Sequence, residues 1–404
     1  MNRLETMSPL EQMVALAWRQ EAASILGFEA DDGVLNQILG FEKGFNQAAD
    51  IIYETTDGAS LQDMWREFNA SIQLLNKGRD PLINMLTYTV TKNTEKVLQP
   101  SSEDFEEASE YGEPKGVRLG VPFVLGFPFK WYDLAIRYTW MFLIDADAEQ
   151  VRALNATALE ASRRLVFGQV MKAVFNNVNS TANLTNGTSV NVYKFYNNDG
   201  TVPPPYKGTT FAGTHQHYIT SGAATIDPGD MAALEDHLYH HGYRLSDGYK
   251  LVLLCNRQES QVIRTFVAGV NSSLYTFIPG QAIGGGVYLP ANSGIVGRPG
   301  ESGPAGLLAV GTYGPFVIVE EDYIPAGYVV ALASSGDQNL RNPIGIREHP
   351  SHKGLQLVKG AQPDYPLQDS FYRQGMGTGI RQRGAGVVMQ ITAAGTYTIP
   401  AAYV

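Results

Sequence analysis

The stretch Asp145–Asn177, DADAEQVRALNATALEASRRLVFGQVMKAVFNN, decides how the rest of the chain is read. Asp147 stands three residues before Gln150, the spacing of a capping box, in which side chains take up the free N–H groups of a helix start. From there Val151, Leu154, Ala158, Ala161 and Leu165, then Phe167, Val170, Met171, Val174 and Phe175, recur at three- and four-residue steps. Arg152, Arg163, Arg164 and Lys172 fall elsewhere on the surface. No proline interrupts, and Gly168 is the one weak point. The pattern predicts a helix over 147–177, a rod of roughly 45–50 Å at about 1.5 Å per residue, long beside the usual three turns. A rod of that length serves as a spine onto which other elements fold.

The rest of the composition is consistent with a large folded chain. Of 404 residues, 44% are apolar, enough for two or three domains with real cores. Only 17% are charged, and 42 glycines with 21 prolines point to turns and β structure. The net charge of −10 argues against a nucleic-acid binder as a whole. A single cysteine, Cys255, sits after Leu251-Val252-Leu253-Leu254, which excludes an internal disulfide and reads as a small buried hydrophobe. Met1 is followed by no apolar h-region, and no apolar run approaches the roughly eighteen residues of a membrane span, so a soluble chain made in the cytoplasm is expected.

Toward the N-terminus, three amphipathic helices are expected: Pro9–Leu26, one opening at Asp31 or Asp32, and one capped by Ser60. Leu86–Val90 and Val117–Val121 have strand composition and flank an acidic segment, so a long hairpin is expected ahead of the spine. Its aromatics are too many for a free-standing hairpin. Past the spine come an Asn/Thr-rich loop (176–186), a strand at 190–196, and a helix from Asp227-Pro228 to His241 closed by Gly242. A buried strand Tyr249–Cys255 and a helix Glu259–Phe266 follow, then a Gly/Ser/Pro-rich surface loop over 269–314. Strands return at 316–320 and 328–333, joined by Ile324-Pro325-Ala326-Gly327, and again in short segments to the end.

Chemistry-bearing patterns are few. His215-x-His217 would share one strand face, and His237 and His241 one helix face at i, i+4, with His240 between them. A metal enzyme using His215, His217 and His237 is the alternative from another class, but His-Glu-x-x-His is absent and no metal or cofactor is assigned. Gly375-x-Gly377-x-Gly379 departs from the dinucleotide fingerprint in spacing and context. Arg347, Arg373, Arg381 and Arg383 form a basic cluster, read as a solvated face or as intersubunit ion pairs. No catalytic constellation emerges, and an enzyme is not expected.

The order of elements resembles the major capsid proteins of tailed bacteriophages with the Hong Kong ninety-seven fold. The downstream motifs carry this: the strand–asparagine–helix step Leu251-Val252-Leu253-Leu254-Cys255-Asn256, then Tyr313-Gly314-Pro315-Phe316-Val317-Ile318-Val319, the Pro325-Ala326-Gly327 turn, and the closing segment Asp369–Ile391. The resemblance covers roughly residues 80–404 and implies an α+β fold with an N-terminal arm, an extended loop, a spine helix, and peripheral and axial domains. On that pattern 1–85 is a helical arm retained in the shell, 86–144 the extended loop, 145–248 the peripheral domain with the spine, 249–343 the axial domain, and 344–404 the return to the peripheral domain. It implies hexamers and pentamers closing into an icosahedral shell in the virion, around double-stranded DNA bound without sequence specificity. Portal, scaffolding or decoration proteins would be further partners. An encapsulin nanocompartment shell is the alternative on the same fold. The expected intersubunit contacts are Arg118, Phe123, Phe127, Phe129, Lys130, Trp131, Arg137, Arg381 and Arg383.

Overall fold

The computed structural model describes residues 52–78, 80–97, 107, 110, 112, 123–136, 138–183, 187–283, 286–288, 309–359, 367 and 370–404. The two helices expected before residue 52 and the strand expected at 117–121 lie outside them. In chain order the elements begin α1 (Leu61–Lys77), α2 (Pro81–Leu86), β1 (Thr87–Val90), β2 (Thr94–Val97), β3 (Phe123–Gly126), β4 (Lys130–Ala135), α3 (Trp140–Asp145) and α4 (Ala148–Phe175). There follow β5 (Ser180–Asn183), β6 (Ser189–Val192), β7 (Tyr218–Thr220), α5 (Pro228–Tyr239), β8 (Lys250–Cys255), α6 (Arg257–Ile263), β9 (Ile278–Pro279), β10 (Gln281–Ile283) and β11 (Gly286–Tyr288). The chain ends with β12 (Ala309–Tyr313), β13 (Phe316–Glu320), β14 (Tyr328–Ser334), β15 (Ile344–Arg347), β16 (Leu355–Val358), β17 (Phe371–Ile380) and β18 (Gly386–Gln390). The described residues fall into two compact units. The smaller holds 52–65, 138–151, 359 and 367, and the larger holds the rest.

In the smaller unit the caps act as the sequence suggests. Asp147 accepts the Gln150 N–H at 2.8 Å, and Asp57 accepts the Ala148 N–H at 3.2 Å, so the first turn of α4 has its free donors answered. The spine expected over 147–177 is α4. Thr139 accepts the Phe142 N–H at 3.2 Å and starts α3, a short helix where the sequence reading continued an extended aromatic stretch.

In the larger unit β8 lies at the middle of a seven-stranded sheet, order β7-β18-β14-β8-β13-β12-β9. Strand side chains alternate between faces. Leu251, Leu253 and Cys255 pack with Met231, Leu234 and Leu238 of α5 and Ile263 of α6. Val252 and Leu254 pack on the opposite face with Phe167, Val170, Met171, Val174 and Phe175 of α4. Both faces being covered explains the unbroken apolar run of β8. Cys255 is fully buried, and burial, with Glu259 and Glu320 nearby, pushes its thiol up to about 12. β13 and β14, the strands expected on either side of the Ile324–Gly327 turn, flank β8, β13 parallel and β14 antiparallel. The turn between them is tied to α6. Asn256 accepts the Gln258 N–H at 3.2 Å to cap the helix and donates to the Ile324 carbonyl at 2.9 Å, while buried Glu259 accepts the Gly327 N–H at 2.7 Å. Gly327 has φ +81°, a conformation that favours glycine.

A second sheet is built on β17, which pairs antiparallel with β15, β16 and β4, and β1 joins β15 in parallel. The part of α4 in this unit lies beside β17. Tyr372 donates to Asn155 Oδ1 at 2.7 Å, Ser162 to Gln374 Oε1 at 2.7 Å, and Thr378 to the Gln169 carbonyl at 3.2 Å. At the end of α4 the unpaired carbonyls of Val174 and Phe175 accept the hydroxyls of Tyr218 (3.1 Å) and Tyr397 (2.7 Å). The hairpin expected from 86–90 and 117–121 is β2 on β3 instead, while β1 finds β15 far along the chain. Residues read as loop at 176–186 contribute β5, paired with β6, and the segment read as surface loop at 269–314 supplies β9 to β12.

Candidate functional site

The glycines at 375, 377 and 379 lie within β17, at alternate positions and therefore on one face. Segment 126–129 crosses that face at backbone contact. A Cβ on Gly377 would fall on the Pro128 carbonyl, one on Gly379 would stand 2.7 Å from the Phe127 ring, and one on Gly375 would overlap Phe129 and Trp131. The repeat that looked superficially like a phosphate loop is a bare strand face on which another segment lies. Beyond it β4 pairs with β17 along one edge and has no strand on the other among the described residues. Trp131 is 44% exposed and Leu134 40%, with Lys130 and Asp133 also exposed. An edge strand with open hydrogen-bonding groups and exposed apolar side chains is a template for a second chain.

Two of the four arginines read as one cluster lie against this crossing segment and its continuation into β4. Arg347 donates to the Phe127 carbonyl at 2.8 Å and lies 5.1 Å over the Phe129 ring, and Arg373 lies 5.1 Å over Trp131. Phe129 and Trp131 meet edge to face at 5.1 Å, with His349 5.9 Å from Trp131. Arg381 pairs with Glu95 at 3.1 Å. Arg383 is buried, donating to Asp199 at 2.7 Å and the Lys194 carbonyl at 2.7 Å between the rings of Tyr196 and Tyr193.

Of the nine residues expected at subunit contacts, Phe129, Lys130 and Trp131 lie together at the accessible end of this face. Phe123 is half-buried with its ring 4.3 Å from Tyr193. Phe127 is 1% exposed and packed on Tyr88 and Val90, so its place is in the chain's own core. Arg381 and Arg383 find their carboxylates within the chain rather than on a neighbour. Arg118 and Arg137 lie outside the described residues.

A second constellation forms where the turn before β7 meets the end of α5. The Nε2 atoms of His215, His217 and His241 are mutually 2.9–3.0 Å apart, and His240 belongs to the same cluster, its ligand atom within 4.8 Å of the others. His237, which spacing suggested as the third member, instead aims Nδ1 at the Ala233 carbonyl at 2.8 Å. The helix C-terminal turn explains the substitution, since it brings His240 and His241 around to face His215-x-His217. Gly242 permits that turn at φ +87°, and a Cβ on Gly384 would crowd the His241 ring. His241 lies between Phe211 (4.5 Å) and Tyr196 (5.6 Å) in near-parallel stacking. Burial first, and the neighbouring imidazoles next, push His215 down to about 4 and His241 to about 2, and hold His217 and His240 below the ordinary histidine range.

No family model and no curated protein matches the chain. Among solved structures, a chain of Mycobacterium phage Patience matches with a TM-score of 0.67 and 40% sequence identity, over 89% of this chain and 96% of that one. The asymmetric unit of the bacteriophage PhiM1 mature capsid matches with a TM-score of 0.43 at 9% identity, over 76% of this chain and 86% of that one. The holo-SrpI encapsulin complex from Synechococcus elongatus matches with 0.41 at 12%, over 82% and 97%.

Proposed function

The chain belongs to the tailed-phage major capsid proteins of the Hong Kong ninety-seven type and is a structural protein of the shell, and on that basis we propose how it assembles. Identity of 40% across nearly the whole of both chains is the observation that carries the reading. The encapsulin alternative is the weaker match. No helix among the described residues is long and apolar enough to cross a membrane.

Our assignment is of hexamers and pentamers in an icosahedral shell around double-stranded DNA, synthesised in the host cytoplasm. Portal, scaffolding or decoration proteins are further partners. The divisions 1–85 (arm), 86–144 (extended loop), 145–248 and 344–404 (peripheral domain) and 249–343 (axial domain) belong to the same proposal. A net charge of −10 suits a wall that must not bind the packed genome. The open edge of β4, with Phe129, Lys130 and Trp131, is the intersubunit face, Phe123 lies at its rim, and Arg118 and Arg137 remain assigned from the sequence.

Electron microscopy of the expressed protein tests the assembly: capsomers or closed shells are expected, and a monodisperse monomer at high concentration would refute it. Trp131→Ala tests the face. Losing a partly exposed indole and its edge-to-face partner should lower subunit stability by only about 0.5–1.5 kcal/mol beyond the lost area, yet weaken capsomer association at least about tenfold. If the variant subunit unfolds while its assembled fraction associates normally, Trp131 belongs to the chain's own core.

A further inference from the structure

We propose that His215, His217, His240 and His241 bind one divalent transition-metal ion, zinc by preference, that ties the turn before β7 to the C-terminal end of α5. The three Nε2 atoms of His215, His217 and His241 cannot satisfy one another. A neutral imidazole nitrogen carries either a proton or a lone pair. With three such atoms all 2.9–3.0 Å apart, at least one contact must set proton against proton or lone pair against lone pair. A cation at the centre turns all three contacts into bonds.

The lone pair of His217 already points inward. His217 is fully buried and its Nδ1 lies 2.7 Å from the Gly386 carbonyl, so Nδ1 carries the proton and Nε2 the lone pair. A backbone carbonyl behind a ligating imidazole is the usual device that fixes its tautomer. His240 adds an independent sign, because its Nε2 is buried without any hydrogen-bond partner, which is costly unless something not yet named completes it. Its Nδ1 side faces Asp236 at 3.7 Å.

Geometry and surroundings fit the ion. At the usual zinc–nitrogen distance of about 2.0–2.1 Å, an ion bonded to three atoms this close stands about 1.1 Å out of their plane, open toward a fourth donor. The ideal tetrahedral nitrogen separation at that distance is about 3.3–3.4 Å, so the rings need to part by only a few tenths of an ångström. Neutral imidazoles are the ligating form and suit zinc, copper and nickel, while a closed four-nitrogen set favours tetrahedral zinc. Phe211 and Tyr196 wall the site on either side of His241. Four protein donors leave no open position, so the role is structural, a cross-link between two segments whose histidine rings pack against one another.

The test uses untagged full-length protein dialysed against zinc, then against metal-free buffer, and read by elemental mass spectrometry. About one zinc per chain is expected, and cobalt substitution should give the intense visible bands of a tetrahedral site. The paired variant His215→Ala with His241→Ala should hold at least about tenfold less metal, while His349→Ala with His352→Ala, which alters the other pair of adjoining histidines, should hold the wild-type amount. Less than about 0.1 zinc per wild-type chain would overturn the proposal, as would metal retained by the first pair or lost with the second. Should the first pair fail to fold, the wild-type stoichiometry and the cobalt spectrum decide the question alone.

Discussion

Arg383→Met would test the most heavily bonded side chain in the larger unit. The guanidinium is 3% exposed and donates to Asp199 Oδ2 at 2.7 Å, to the Lys194 carbonyl at 2.7 Å and to Asn197 Oδ1 at 3.2 Å. Hydrogen bonds to charged groups contribute about 1.5–3 kcal/mol each, but bonds sharing one group do not add. Breaking a buried pair from one side costs about 3–5 kcal/mol, and that is the expected loss. In urea unfolding of dissociated subunits at pH 7, with an m-value of about 3 kcal/mol/M, the midpoint should fall by about 1–2 M. Arg383→Lys, which keeps the charge without the planar fork, should fall between. The sign with pH follows from Asp199. Burial opposes its ionisation, but bonds from Arg383, Thr201 and Asn179 prevail and hold its carboxyl below the usual aspartate value. A depressed acid stabilises the fold above its unfolded value of about 4 and ceases to do so as pH falls through its folded value. The gap between wild type and Arg383→Met should therefore narrow as pH falls below about 4. A gap under about 1 kcal/mol at pH 7, or one that does not change in acid, would refute the reasoning.

Two glycine substitutions should act in opposite directions in thermal melts. Gly168→Ala places a Cβ with nothing within 4 Å inside α4 and should stabilise by about 0.5–1 kcal/mol, whereas Gly377→Ala drives a Cβ onto the Pro128 carbonyl and should cost at least about 3 kcal/mol. Tyr218→Phe leaves the Val174 and Asn176 carbonyls without their donor (3.1 and 3.2 Å) and should cost about 1–3 kcal/mol in the same measurement. Cys255, buried and pushed up to about 12, should resist thiol reagents at pH 8 in the native subunit and react fully in denaturant.

What the sequence made legible was local. The α4 helix, its Asp147 cap, the Asp227-Pro228 start of α5 with its capping box and the buried β8 each follow from a few adjacent residues. Partnerships across the chain were not legible. β1 reads as half of a hairpin because its true partner, Ile344–Arg347, lies some 250 residues on and leaves no mark near Thr87. Gly375-x-Gly377-x-Gly379 invites a loop reading because a bare strand face and a phosphate loop share a composition, and only the chain lying on it tells them apart. The histidines were visible, but spacing on an ideal helix picked His237. The turn at Gly242, which brings His240 and His241 into place, was noted only as a helix end.

The pairing of β2 with β3 has one more consequence. β2 and β3 are paired from Thr94 against Gly126 to Val97 against Phe123, and the chain beyond is laid on the glycine face of β17. The two ends of the 98–122 connection are thereby held at one separation, whatever number of residues joins them. The entropy of closing such a connection grows only with the logarithm of its length, about 0.6 kcal/mol for each doubling. Insertions and deletions within it thus leave the subunit almost as stable as before. Length at this one place can be varied while the fold that carries it stays the same.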